Sequence, residues 1–433
     1  MAREMRPSGI SWLGEIPAKW NVVNIRNLFS FGKGLPITKE DLRESGISVI
    51  SYGQIHSKQN NGVSVKSELI RYVDQKYLSS NLESLVKKHD FIFADTSEDL
   101  SGCGNCVYID TDIPIFSGYH TIILRSKADH DLKYFAFLFQ SDAWRKQIRE
   151  RVTGVKLFSI SQKILRSTSV LVPPADEQQK ISAFLDTECS RIDAVIGKTR
   201  ASIEEYKKLK QSVITEAVTK GIRPGRKMKD SGLEWIGKIP EEWTILKIKW
   251  LLDERNERSE EGHEEPLSMS QKYGLIPTKE MDMVPNMASS FVGAKICYPG
   301  DLVFNKLKAH LGVFALSRFY GIVSPDYAVY RSSGIANLKY LEFLFKTPQY
   351  IAEFRKKSTG VGAGLTRLYT AGLFSIYSTI PPLSEQTEIV DYLDGKTEEI
   401  DALIRQKESI ISEMESYKKS LIFEYVTGKK EVM

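Results

Sequence analysis

The chain writes its first line twice. SGISWLGEIPAKW, Ser8 to Trp20, returns 223 residues later as SGLEWIGKIPEEW, Ser231 to Trp243. Ser, Gly, Trp, Gly, Ile, Pro and Trp keep one register, so that Trp12 and Trp20 answer to Trp235 and Trp243. A second doublet is longer. PPADEQQKISAFLDTECSRIDAVI from Pro173 recurs 208 residues on as PPLSEQTEIVDYLDGKTEEIDALI from Pro381, without a gap as far as Val218-Thr219 and Val426-Thr427. Between the blocks the match thins to islands: LKYFAFLF at Leu132 against LKYLEFLF at Leu338, and Thr153-Gly154 against Thr359-Gly360. A tandem duplication of this extent requires two like structural units, each with a leader, a variable region and a shared segment.

The shared segment reads as helix. Pro-Pro excludes a helix interior, and beyond it Asp176 or Ser384 offers an N-cap while Glu177 or Glu385 complements the amide end. Apolar residues then recur at mixed spacings of three and four: Ile192, Ile196, Ile203, Tyr206, Val213 and Ala217, and again Ile400, Ile404, Ile411, Met414, Leu421 and Tyr425. That is the seam of a helix packed along a partner. Gly221 and Gly428 stop the two runs. One helix from Glu188 to Thr219 is a rod of about 48 Å at 1.5 Å per residue. An antiparallel pair buries both seams and lets each rod carry the next variable region at its far end.

The variable regions read as mixed α/β. GISVISYGQI (46–55), DFIFAD (90–95), TIILRS (121–126) and DLVFNK (301–306) are short strand-like runs bounded by turn residues. DLKYFAFLFQSDAWRKQIRE and LKYLEFLFKTPQYIAEFRKK are amphipathic helices that face the core through Phe135, Leu138, Phe139, Leu341, Leu344 and Phe345. The expected fold class is α+β: two mixed α/β domains at opposite ends of a pair of long antiparallel helices, in a pseudo-twofold tandem repeat. Its segments are 1–172, 173–221, 222–380 and 381–433.

Composition narrows the class. At 433 residues, 42% apolar and 10% aromatic, the chain has core enough for several domains. No run approaches the roughly 18 apolar residues of a membrane helix, and MAREMRPSG lacks a secretory apolar stretch. Four cysteines make no disulfide framework, which agrees with a reducing, cytoplasmic location. The net charge of +5 identifies no polyanion partner by itself. Thr199 to Lys229 carries nine bases against three acids, either a phosphate-facing stretch or a solvated helix face followed by a linker.

Motifs for chemistry are missing. GVGAGLTR lacks the lysine of a phosphate loop, and no Asn/Asp-Pro-Pro-aromatic tetrad is present to grip a flipped base. Cys103-Gly-Asn-Cys106 has no second pair to complete a zinc site, and the six histidines include no HExxH spacing. No catalytic residue and no metal ligand is expected.

The leader SGxxWxGxIPxxW, the doubled PPxxEQ…LD…ID and the run LSMSQKYG…GDLVFNK…GIVSPDYAVY together resemble the specificity subunit of type I restriction–modification systems, over nearly the whole chain. The resemblance implies that each variable region is a target-recognition domain reading one half of a bipartite, asymmetric site on double-stranded DNA. It implies helices that set the gap between the half-sites; a 48 Å rod spans about 14 base pairs at 3.4 Å each. It further implies two methyltransferase subunits docked on the helices, with restriction subunits joining them. S-adenosylmethionine, ATP and magnesium would belong to those partners, with no cofactor bound by this chain and no membrane involved. One departure is KKHDFIFAD, where His89 stands for the glycine of YPGDLVFNK and puts the turn geometry of the first domain in question.

Base edges are read by amides, hydroxyls and bases in the grooves, and phosphates by cations and backbone amides. The candidate DNA contacts in the first half are Tyr52, Gln54, His56, Lys58, Gln59 and Asn60 of SYGQIHSKQNNG, Tyr119 of SGYH, and Lys156 of TGVKLFS. In the second half they are Ser270, Gln271, Lys272 and Tyr273, then Asn305, Lys306 and Lys308 on one strand, Tyr327 of SPDY, and Arg367 of TGVGAGLTRLY. A solvated loop, or a core position for the two tyrosines, is the competing reading of each. The candidate partner-binding residues on the helices are Glu177, Gln178, Ile181, Glu385, Gln386 and Ile389. Two other functions stay open on the residues alone: a stand-alone DNA methyltransferase or nuclease with disguised motifs, and a coiled-coil adaptor that binds proteins.

Overall fold

The computed structural model describes residues 3–10, 13–282, 290–360 and 366–432. Trp12 of the leader and most of the second Gly-rich loop (361–365) lie outside the described residues. Internal contacts divide the chain into two compact units, Met1–Thr199 with Ser409–Met433, and Arg200–Glu408. These units cut across the four expected segments, because each long helix gives its beginning to one unit and its end to the other.

In the first unit, one antiparallel four-stranded sheet runs Cys106–Tyr108, Phe91–Ala94, Thr121–Ser126, Phe29–Lys33. A second runs Arg71–Val73, Ile47–Ile50, Ile115–Ser117, Leu85–Val86, with its middle pair parallel. The second unit has the same plan. Its sheets are Leu252–Arg255, Tyr327–Ser332, Leu302–Asn305, Phe314–Leu316, and Gly274–Pro277, Pro266–Ser270, Gly321–Val323, Lys295–Cys297, again with the middle pair of the latter parallel. The duplication therefore extends through the variable regions, where sequence retains only islands of it.

The amphipathic runs pack as read, but each is two helices. Leu132–Gln140 ends at Ser141, whose side chain accepts from the Trp144 amide and starts Asp142–Arg149. In the second unit Pro348 starts the second helix at its first turn, where a missing N–H costs nothing. Phe135, Leu138, Phe139, Leu341, Leu344 and Phe345 are all buried.

The long helices are Ala175–Lys220, 46 residues, and Leu383–Val426, 44 residues. They begin directly at the prolines: Gln178 N donates to Pro174 O and Gln386 N to Pro382 O. Asp176 and Ser384 thus lie inside the first turn rather than capping it, and the first helix is longer than the 32 residues read from the seam. The turns before Glu188 belong to the same helix, and their apolar residues Ile181, Phe184 and Leu185 join the first unit's core. Within the first unit the two helices run antiparallel: Phe184 and Tyr425 rings lie 4.5 Å apart, and Lys418 Nζ lies 2.7 Å from Asp193. Within the second, Lys407 lies over Tyr206 at 5.5 Å and Lys210 Nζ is 2.5 Å from Asp401. Gly221 and Gly428 take the left-handed turn at φ +79° and +70°. A side chain at Gly428 would strike Pro17.

His89 keeps the turn that its glycine counterpart makes. Its φ is +74° against +91° at Gly300, and its ring stacks on Tyr108 with Nδ1 2.5 Å from the phenol oxygen. The neighbouring carboxylates act alike, Asp90 accepting from Lys87 N and Asp301 from Tyr298 N, both at 2.8 Å.

Candidate nucleic-acid interface

Tyr52 and Gln54, read in sequence as the end of a strand and the polar loop after it, lie on a helical turn, Tyr52–Ile55. Ser51 and Gln54 form a capping box there, which ends the preceding strand at Ile50. Gln54 Oε1 is used by the Ser51 amide at 3.2 Å. Tyr52 meets Tyr119 edge-on at 5.6 Å and His120 at 5.5 Å, so the helical turn and the Ser117–His120 turn form one aromatic face. Burial raises the Tyr119 phenol above its ordinary value.

His56 sits beside this face with both ring nitrogens engaged. Nε2 donates to Thr96 O at 2.8 Å, and Nδ1 accepts from Asn105 Nδ2 at 3.1 Å. Asn60 is likewise consumed: Nδ2 donates to Ile55 O and Cys106 O, and Oδ1 accepts from Gly62 N. His56 and Asn60 therefore hold the loop rather than present free groups. Lys58, Gln59 and Lys156 are exposed. Lys156 lies in a hairpin closed by the Thr153–Ser159 bridge and anchored where Phe158–Ser159 pairs with Thr96–Ser97.

In the second unit Ser270 closes the hairpin onto Gly274, and its Oγ accepts from the Lys272 and Tyr273 amides at 3.2 and 3.3 Å. That leaves Gln271, Lys272 and Tyr273 exposed at the tip, with Lys272 over the Tyr273 ring at 4.5 Å. Lys306 and Lys308 do not share a strand face. The strand ends at Asn305, whose Oδ1 accepts from Leu307 N and turns the chain. Lys306 is half-buried, donating Nζ to Pro325 O at 2.9 Å, while Lys308 is exposed. Burial, then the nearby charges of Lys295 and Arg367, lower the Lys306 ammonium below its ordinary value. Arg367 reaches Asp326 at 2.5 Å, so the Ser324–Tyr327 turn, Lys306 and Arg367 make one cluster. Tyr327 supports it from beneath: its hydroxyl accepts from Met269 N at 3.1 Å, and burial raises its phenol.

The motif residues chosen on the helices are internal. Glu177 accepts from the buried Trp20 indole at 2.8 Å and pairs with Arg3. Glu385 accepts from Trp243 at 3.2 Å and pairs with Arg226. Gln178 accepts from Asp131 N and donates to Pro173 O; Gln386 accepts from Asn337 N and donates to Pro381 O. Ile181 and Ile389 are buried. A docking surface needs exposed atoms, and these six side chains have spent theirs inside their own units. The exposed apolar residues of the helices are others. Val195, Ile410 and Tyr417 are exposed in the first unit, and Leu209, Leu383 and Tyr392 in the second. Leu209 and Tyr417 hold the same place in the 208-residue repeat and are 49% and 54% exposed. The signal was available in the sequence as positions apolar in both copies yet off the seam.

Part of the basic stretch from Thr199 to Lys229 is paired within its unit, Arg223 with Glu388, Arg226 with Glu385 and Glu242, Lys210 with Asp401 and Lys207 with Glu204. No helix among the described residues is long and apolar enough to cross a membrane.

Residues 17–205 match the family described as the type I restriction modification DNA specificity domain. The chain is 22% identical to the type I restriction enzyme MjaVIII specificity subunit of Methanocaldococcus jannaschii, covering 96% of this chain and 94% of that one. It is 18% identical to the EcoKI specificity subunit of Escherichia coli, with 96% and 90% covered. Among solved structures, a chain from work on assembly and conformational transition of the type I R-M system superposes with a TM-score of 0.69 at 16% identity, covering 96% of this chain and 99% of that one. The HsdS subunit from Thermoanaerobacter tengcongensis gives 0.50 at 17%, with 96% and 98% covered.

Proposed function

We propose, from the premise that this chain is a DNA specificity subunit of the type I restriction–modification kind, that its two units read the two unlike halves of one bipartite duplex site. The observation that carries this is a single sheet plan bearing two different surfaces. An aromatic and amide face surrounds Tyr52, Tyr119 and His120 in the first unit; a cationic cluster surrounds Lys306 and Arg367 in the second. Equal scaffolds with unequal polar surfaces are what an asymmetric sequence requires. Lys58, Gln59 and Lys156 in the first unit, and Gln271, Lys272, Tyr273 and Lys308 in the second, have exposed side chains that suit groove and phosphate contact.

The long helices fix the number of base pairs between the half-sites. Two methyltransferase subunits dock on their outward apolar positions, at Leu209 in one unit and Tyr417 in the other, and restriction subunits join that assembly. Methyl transfer from S-adenosylmethionine and ATP- and magnesium-dependent cleavage occur on those partners in the cytoplasm, and this chain supplies the address alone. The absence of a phosphate loop and of a base-gripping tetrad in the sequence supports that division.

Exchanging residues 231–380 for the corresponding stretch of another specificity subunit, then mapping methylation in cells carrying the modification partner, tests the reading. One half of the methylated sequence should change and the other persist. A change in both halves, or in neither, refutes it. Methyl transfer or cleavage by the purified chain alone, with DNA, magnesium and S-adenosylmethionine, refutes the non-catalytic assignment.

A further inference from the structure

The first unit places three aliphatic side chains in water on two loops beside the aromatic face. Leu100 is 44% exposed, Val155 93% and Leu157 55%. Both loops leave the same end of one short ladder, in which Thr96–Ser97 pairs antiparallel with Phe158–Ser159. Leu157 directly precedes that ladder on one strand, and Leu100 follows it by three residues on the other.

The first loop is tied down by its own hydrogen bonds, and the second is closed at its base by the Thr153–Ser159 bridge. Asp99 Oδ1 accepts from Ser101 Oγ at 2.6 Å and from Gly102 N at 2.7 Å, and Ser97 Oγ donates to Asp99 O. Arg149 ties Ser101 O to the helix behind. In the other loop Gly154 has φ +145°, and a side chain there would lie 2.1 Å from Leu157 O. The glycine is what lets the tip fold back and face Val155, Lys156 and Leu157 outward. The second unit repeats part of the arrangement independently: the loop after its matching central strand carries Leu311, 51% exposed.

Single exposed aliphatics are ordinary on a protein surface. Three on two loops that leave one ladder together, with Lys156 between two of them in sequence, have a chemical match. The apolar group displayed in the major groove is the C5 methyl of thymine, beside phosphates that attract the lysine. We propose that Leu100, Val155 and Leu157 form a ridge that recognises thymine methyl groups in the first half-site. This rests on the DNA-reading function of the first unit and adds to it which chemical group is read there.

The test uses the full chain and duplexes carrying its mapped site, with each thymine of the first half-site replaced in turn by deoxyuridine, which lacks only the methyl. The wild-type chain should lose affinity about fourfold per contacted methyl, the equivalent of one buried CH2-sized group. The variants Leu100→Ala and Val155→Ala/Leu157→Ala should bind the natural duplex more weakly by a similar factor and become indifferent to the replacement at the matching thymine. Their exposed positions predict unchanged far-UV circular dichroism and melting temperature. The idea is overturned if no replacement in that half-site weakens the wild type, or if the variants discriminate thymine from deoxyuridine as the wild type does. Failure of the wild-type chain to bind its own mapped duplex would instead strike at the DNA-reading function itself.

Discussion

Glu385 joins leader and helix in the second unit, and replacing it with Gln separates charge from shape. Its carboxylate is 5% exposed, Arg226 is 11% exposed, and Trp243 is fully buried. The amide of Glu385→Gln still accepts from the indole but leaves the guanidinium without its buried counter-charge, although Glu242 remains 3.0 Å from it. Breaking one side of a buried, hydrogen-bonded pair costs about 3–5 kcal/mol, and the surviving partner offsets part of this, so about 2–3 kcal/mol is expected. The matching change Glu177→Gln meets a wetter site, with Arg3 and Glu177 exposed by 19% and 24%, and should cost about 1 kcal/mol. Urea unfolding followed by tryptophan fluorescence gives both values, and a cycle with Arg226→Met gives the coupling. Equal costs at the two sites, or a coupling below about 0.5 kcal/mol, would refute the argument that burial sets the difference.

Three further outcomes follow from the geometry. Leu209→Asp and Tyr417→Asp should leave stability within about 0.5 kcal/mol, since both side chains are exposed. Each should remove one copy of the modification subunit from the assembly, read by native mass spectrometry; an unchanged stoichiometry in the double variant would exclude this surface. Burial pushes the Cys106 thiol up to about 12 and the Cys189 and Cys297 thiols to about 11. These three should resist alkylation at pH 8 until denaturant is added. Because they ionise more readily when unfolded, their contribution to stability is complete below about pH 9 and lost as pH rises toward the folded values. At the left-handed turn, His89→Ala keeps the backbone strain and loses the contact with Tyr108, costing about 1–2 kcal/mol, whereas His89→Gly relieves the strain and should cost less. Equal melting midpoints for the two variants would contradict that ranking.

The repeat, the seams and the core faces of the variable-region helices were legible because each depends on periodicity, which one sequence displays in full. Strand ends were less so. Ile50 and Asn305 end their strands through side-chain bonds, Gln54 to the Ser51 amide and Asn305 to the Leu307 amide, and such local competition leaves no apolar pattern. In sequence His56 and Asn60 are polar residues on a loop, a composition shared by groups that read a ligand and groups that hold the loop together. Only their partners, Thr96, Asn105 and Cys106, distant in sequence, separate the two roles. A doubled Pro-Pro-x-x-Glu-Gln invites the idea of a doubled partner, and the internal bonds its Glu and Gln make leave no pattern in the sequence.

Its recurrence has an internal cause. In each half the Glu receives the leader tryptophan, Trp20 or Trp243, and the Gln receives the backbone N–H of an N-cap residue, Asp131 or Asn337, at the head of a variable-region helix. Two adjacent helix positions, Glu then Gln, therefore fasten leader, long helix and variable region together in each half. Residues that only read DNA are under no such constraint, because the fastening ends at the first turn of Leu132–Gln140 and Leu338–Phe345. This explains how the same chain can keep its leaders and helices matched while the faces beyond the fastening are aromatic in one unit and cationic in the other. It also separates the two kinds of recurring helix position: Leu209 and Tyr417 recur and are exposed, where Glu177 and Glu385 recur and are engaged inside their own units.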